Sequence, residues 1–127
     1  MADLFDILTY DSVKAVDTLD ISEVYTQIAI LSTPSREAGK YLVAFSLTWS
    51  LASTSKSAFM RFRLDSGAWN EFISEPQDKS DRRAIFYEFP QDLLAGVHTV
   101  ELEARKEDAG TGQFDILFLD LIIQRVG

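Results

Sequence analysis

The chain has 127 residues, no cysteine, a single histidine and a formal charge of −8. Disulfides, thiol nucleophiles and zinc–thiolate centres are excluded, a metal site needing several imidazoles cannot be built, and the acidity argues against nucleic acid, whose phosphates demand clustered Lys and Arg. At 46% hydrophobic and 12% aromatic the composition is that of one globular domain, and no apolar run approaches the ~20 residues of a membrane helix, so neither a membrane nor disorder is expected.

Residues 1–22 carry acids at Asp3, Asp6, Asp11, Asp17 and Asp20, which interrupt every apolar face. The pattern predicts an extended N-terminal arm with a short strand, lying on its own domain or on a neighbour. The opening M-A-D-L-F-D-I-L has acids where a signal peptide has basic residues. No signal peptide is therefore expected, and the chain is expected to be made in a cytoplasm.

Residues 23–127 read as one β domain. From Glu23 the period is two: Val24, Thr26, Ile28 and Ile30 alternate with Tyr25, Gln27, Ala29 and Leu31, up to Thr33-Pro34. After a turn at Gly39, Tyr41, Val43, Phe45, Leu47, Trp49 and Leu51 share one face of a long strand, which puts Trp49 in the core. Met60, Phe62 and Leu64 point inward from the next strand, with Arg61 and Arg63 outward. Asp65-Ser66-Gly67 is a tight-turn signal, and Ala68 to Ser74 returns as the hairpin partner. Trp69, just past that turn, is the one aromatic expected at the surface and the candidate ligand contact, by sugar stacking.

Arg83 to Phe89 is the next strand, stopped by Pro90. In the strand from Val97 to Lys106, Val100, Leu102 and Ala104 face in while Glu101 and Glu103 face out. Two carboxylates on one strand face are a poor match to a glycosidase pair, which comes from facing elements across a cleft. Cross-strand ion pairing with Arg61, Arg63 and Arg105 is the better reading. His98, on the parity of Val100, is a structural histidine. No G-x-S-x-G elbow accompanies it. Gly110-Thr111-Gly112 has no following helix and is a loop rather than a phosphate cradle. No catalytic residue, metal ligand or cofactor is assigned.

The last strand, residues 113–126, reads Q-F-D-I-L-F-L-D-L-I-I-Q-R-V and is apolar on both faces. Alternation puts Leu117, Leu119, Leu121 and Ile123 on one side, an unbroken face assigned to the core. Phe114, Ile116, Phe118, Asp120 and Ile122 share the other. That face is assigned to an oligomer interface, where a neighbour's arginine or water satisfies the Asp120 carboxylate. Left exposed it forms a patch of the size that marks an interaction site, and closed symmetry is the usual way to bury one.

At Gly39-Lys40-Tyr41-Leu42-Val43-Ala44-Phe45 the chain resembles the G-x-Y-x-V-x-F strand of the tumour-necrosis-factor/complement-C1q jelly roll. Gly96 to Ala104 followed by an apolar last strand is similar to the end of that fold, without the Phe-Gly pair often found there. In size, composition and fold type the chain also resembles the small decoration and head-fibre proteins of tailed bacteriophages. The resemblances imply an all-β, antiparallel β-sandwich of jelly-roll type with about eight strands. They further imply a non-enzymatic virion protein, a homotrimer that clamps a major capsid protein, with no cofactor. The alternative is a carbohydrate- or receptor-binding β-sandwich module, as in a phage fibre or tail, using Trp69 and its neighbours.

Overall fold

A computed structural model describes the backbone of residues 10–18 and the whole of residues 20–53, 55–74 and 82–126. These form eight strands: β1 (Tyr10–Thr18), β2 (Thr26–Ser32), β3 (Gly39–Leu51), β4 (Ala58–Leu64), β5 (Asn70–Ser74), β6 (Arg82–Leu93), β7 (Thr99–Lys106) and β8 (Phe114–Arg125). They make two four-stranded sheets, β1-β8-β3-β6 and β2-β7-β4-β5. Every strand pairing is antiparallel. The chain pairs first strand with last, second with seventh, third with sixth and fourth with fifth, as one long hairpin rolled into a sandwich. That is the jelly roll.

The hairpin turns at Asp65 (φ 51°) and Ser66 (φ 58°), closed by the Gly67 N–H donating to the Leu64 carbonyl at 2.9 Å. Two positive φ values in succession match the right-handed twist of the flanking strands. Gly112 lies so close to the β3–β4 connection that a Cβ there would sit 1.9 Å from the Ala52 carbonyl oxygen. A side chain at that position is sterically impossible without moving backbone.

The core follows the alternation of β3 and β7. Val43, Phe45, Leu47 and Trp49 from β3 meet Val100, Leu102 and Ala104 from β7, with Met60 and Phe62 between them. Trp49 is held in place by its indole N–H, which donates to the Ser74 hydroxyl at 2.9 Å.

Three expectations need correction. The arm expected over residues 1–22 is, from Tyr10 to Thr18, the edge strand of the first sheet, paired with β8 from Tyr10↔Gln124 to Thr18↔Ile116. Ile21, too, is buried in the core, its N–H donating to the Phe114 carbonyl. Residues 1–9 lie outside the described residues. Second, β6 does not stop at Pro90, which is in register with Leu42. β6 has a neighbour on one side only, and an edge strand is where a sheet tolerates proline.

The third correction concerns parity. The β3–β8 register shifts between Thr48 and Trp49: Phe118 faces Thr48 but Ile116 faces Trp49, leaving Leu117 as the extra residue of a bulge. A bulge reverses which residues point inward. Phe114 and Ile116 are consequently buried in the chain's own core, together with Leu119, Leu121 and Ile123. They do not belong to an outward face. A second shift, between Gln27 and Ala29, buries both Ile28 and Ala29 on β2.

Candidate functional site

With Phe114 and Ile116 removed, Phe118, Asp120 and Ile122 still point out from the first sheet. The register sets Thr48 between Phe118 and Ala84, Ser46 between Asp120 and Phe86, and Ala44 between Ile122 and Glu88. Small residues along β3 make the middle of this face shallow, flanked by larger side chains on β8 and β6. Phe86 is 64% exposed and Phe118 40% exposed, while Asp120 and Ile122 are half-buried. On its other side Asp120 is in register with Lys14 of β1. Phe86 completes the face and lay unrecognised in the sequence, because its strand alternates with aromatics on both sides.

The outer face of the second sheet is built differently. The guanidinium of Arg63 lies 4.2 Å from the centre of the Trp69 ring, and that of Arg61 lies 4.1 Å from the same ring and 3.8 Å from that of Tyr25. Arg105 continues the series, 5.2 Å from Tyr25 and 4.1 Å from Phe59. Cation and π-face alternate along the sheet, each ring attracting the positive charge by its quadrupole. Two of the three arginines expected to form ion pairs across the strands do so, while Arg105 donates to the backbone carbonyls of Lys106 and Glu107. Arg61 donates through Nε and Nη2 to Glu103 Oε1 at 2.8 and 2.5 Å, and Arg63 donates to both oxygens of Glu101 at 3.2 Å. The Tyr25 hydroxyl donates to Glu71. Burial first, then that carboxylate, pushes the Tyr25 hydroxyl up to about 12, so it remains a neutral donor. Trp69 is half-buried, and the two arginines occupy π-surface that a stacked sugar would need.

His98 packs at one end of the sandwich. Its Nδ1 is 2.6 Å from Asp65 Oδ2 and its Nε2 is 2.6 Å from the Leu94 carbonyl oxygen. The Asp65 carboxylate raises the imidazole pKa, against an opposing push from burial. The ring is fully engaged in holding two connections together, as expected of a structural histidine. On the β7–β8 connection Asp108 pairs with Lys56 at 2.5 Å and accepts from the Gly110 N–H, which draws its carboxyl below the ordinary range. Among the described residues no group of His, Asp and Glu is placed to hold a metal ion.

No protein-family model and no curated protein matches this sequence. Solved structures do match its fold. A chain in the structure of infectious bursal disease virus, Gt strain, superposes with a TM-score of 0.63 at 8% identity, over 94% of this chain and 34% of that one. The PRD1 vertex protein P5 gives 0.55 at 7% identity, over 93% and 73%. The globular domain of zebrafish complement 1qA protein gives 0.55 at 14% identity, over 94% and 98%. The chain thus spans about a third of the virus chain it matches and nearly the whole of the complement domain. At such identities the likeness is one of fold: this is an all-β jelly roll of the kind found in virus-particle proteins and in complement globular domains.

Proposed function

We propose that this protein is a non-enzymatic structural component of a virus particle, a bacteriophage capsid decoration protein acting as a symmetric oligomer. The observation that carries this reading is the outward face of the first sheet, where Phe86 and Phe118 stand exposed on either side of small residues of β3. A broad face of this kind, with exposed apolar side chains on either side of a shallow middle, suits another protein surface. In the proposed assembly a second copy covers it, with Asp120 taking a polar partner at the rim, and a threefold axis closes the set as a homotrimer. The shell itself, a major capsid protein, is engaged through residues 1–9. The fold shared with two virus-particle chains supports the reading.

The test is direct. Co-expressed with the shell protein encoded beside its gene, the tagged protein should sediment with assembled shells and raise their resistance to heat or chelation. Shells that sediment without it would overturn the proposal.

A further inference from the structure

Among the described residues the sandwich is not closed on the side where β5 and β6 form the sheet edges. β6 presents Ile85, Tyr87, Phe89 and Gln91 inward, on the parity of Leu47, Phe45, Val43 and Tyr41, with which they are in register. The strand opposite, β5, is only five residues long, so it leaves this row partly uncovered. The gap is a trough made of two adjoining hollows of about 380 Å³ each, which share Phe62, Asn70 and Tyr87. Each lies within the roughly 300–1,000 Å³ range of small-molecule sites.

The lining is aromatic. Phe62 packs 5.3 Å from Tyr87 and 5.7 Å from Phe89, and Phe45 beneath them is 6.0 Å from Phe72, ring centre to ring centre. These rings brace one another, and Tyr87 still leaves 43% of its surface open. Asn70 and Gln91 stand at the rim, both exposed. Their amide N–H groups make only long bonds, 3.5 Å to the Ala68 carbonyl and 3.4 Å to that of Asp92. Glu71 also borders the trough, but it lies on the opposite parity of β5 and its carboxylate bonds Tyr25 on the outer face.

The charge of the site decides what it can take. On a chain with 20 acids and 12 bases, Glu71 is the one charged residue among those described that lines either hollow, and Arg83 stands on the same inward parity of β6, one step beyond Ile85. Among the described residues no cation lines either hollow to neutralise a phosphate or sulfate, and the Glu71 carboxylate at the border is engaged by the Tyr25 hydroxyl. Aromatic faces with uncharged amides and a phenol suit a ligand that has C–H faces and hydroxyl groups on one ring. Two hollows in line suit two consecutive rings. We infer that the trough between β5 and β6 is a binding site for an uncharged oligosaccharide, held by Tyr87 and Phe89 on its ring faces and by Asn70 and Gln91 on its hydroxyls. This goes beyond the assembly reading and is independent of it, because the trough lies between the sheets and not on the outward face of the first.

The experiment is to probe the full chain on an array of neutral and sialylated glycans, then to titrate the best neutral trisaccharide by calorimetry. A neutral glycan should bind, and Asn70→Ala and Gln91→Ala should each weaken it, with Tyr87→Ala weakening it about tenfold. Because Tyr87 also packs against the core, the two exposed amides are the decisive variants. Their folds should survive, and their light-scattering mass should equal that of the wild type, so failure here leaves the assembly proposal intact. Absence of any neutral glycan on the array overturns the inference. So does binding confined to sialylated glycans, or binding that Trp69→Ala abolishes while Asn70→Ala and Gln91→Ala do not.

Discussion

His98 Nδ1 lies 2.6 Å from Asp65 Oδ2, and this contact ties the β4–β5 turn to the β6–β7 connection. Asp65 is held at a positive φ and uses its other oxygen to accept the Thr99 N–H at 2.8 Å. The second imidazole nitrogen faces the Leu94 carbonyl. Two acceptors need two N–H donors, and only the imidazolium has both.

A pH dependence follows from that geometry. The folded state raises the His98 pKa, so the unfolded chain loses this proton first as pH climbs. The stabilisation is complete below the unfolded value of about 6.5 and disappears as pH rises through the higher folded value. Thermal melts of wild type and His98→Gln should differ near pH 5.5, by about 1 kcal/mol given the partial exposure of Asp65, and converge near pH 9. A gap that widens with pH would show that the ring is held neutral.

The arginine–aromatic series on the second sheet predicts that Arg61→Lys is not conservative. The planar guanidinium is close to both Tyr25 and Trp69 while donating to Glu103 through Nε and Nη2. An ammonium group keeps the charge and loses both the stacking plane and the fork. Urea unfolding should show a loss of about 1 kcal/mol, and a double-mutant cycle with Trp69→Ala should give a coupling of about 0.5–1 kcal/mol. Additive effects would mean that the stacking is incidental.

How much of this was legible depends on where the chain keeps a strict period of two. In β3 and β7 the alternation is unbroken, and the burial of Val43, Phe45, Leu47 and Trp49, and of Val100, Leu102 and Ala104, is what the pattern predicts. The Glu101–Arg63 and Glu103–Arg61 pairs follow from the same parity. The pattern misleads in β2 and β8, where one extra residue reverses the faces. Both strands are apolar on each side, so nothing in the side chains announces the slip. In β8 the half-buried Leu117 is as apolar as its buried neighbours. The trough was hidden for another reason: its residues come from β3, β4, β5, β6 and the β4–β5 turn, far apart in sequence, and the short β5 facing the long β6 leaves it open.

Two truncations separate the part played by residues 1–9 from that of β1. Removing residues 1–9 should leave a folded, soluble protein that no longer binds its shell. Removing residues 1–20 takes β1 as well, stripping from β8 the partner it holds from Tyr10↔Gln124 to Thr18↔Ile116 and leaving a long apolar edge. That version should aggregate or melt far below the first, as read by circular dichroism and light scattering. Equal stability of the two would mean that β1 adds nothing to the sandwich, and shell binding by the shorter deletion would exclude residues 1–9 as the attachment.

Phe118 and Leu119 are adjacent in sequence and opposite in fate, which makes them the sharpest test of assembly. Leu119 has no exposed surface and lies opposite Leu47 across the β3–β8 ladder and Ala15 across the β1–β8 ladder. Leu119→Asp puts an unpaired carboxylate into the core at a cost of several kcal/mol, on the order of the whole stability of a domain this size, and should abolish folding. Phe118 points the other way, past the bulge, with 40% of its surface open. Phe118→Asp removes little from the core, so the protein should fold with a near-normal melting temperature. On the outward face, however, the new carboxylate sits two residues from Asp120 and would meet its counterpart or another acid across a symmetric interface. Light scattering should then report the mass of a single chain, and Phe86→Asp, across the same face, should do likewise. If both variants keep the wild-type oligomeric mass, or if the wild type is itself monomeric, this face is not where copies meet.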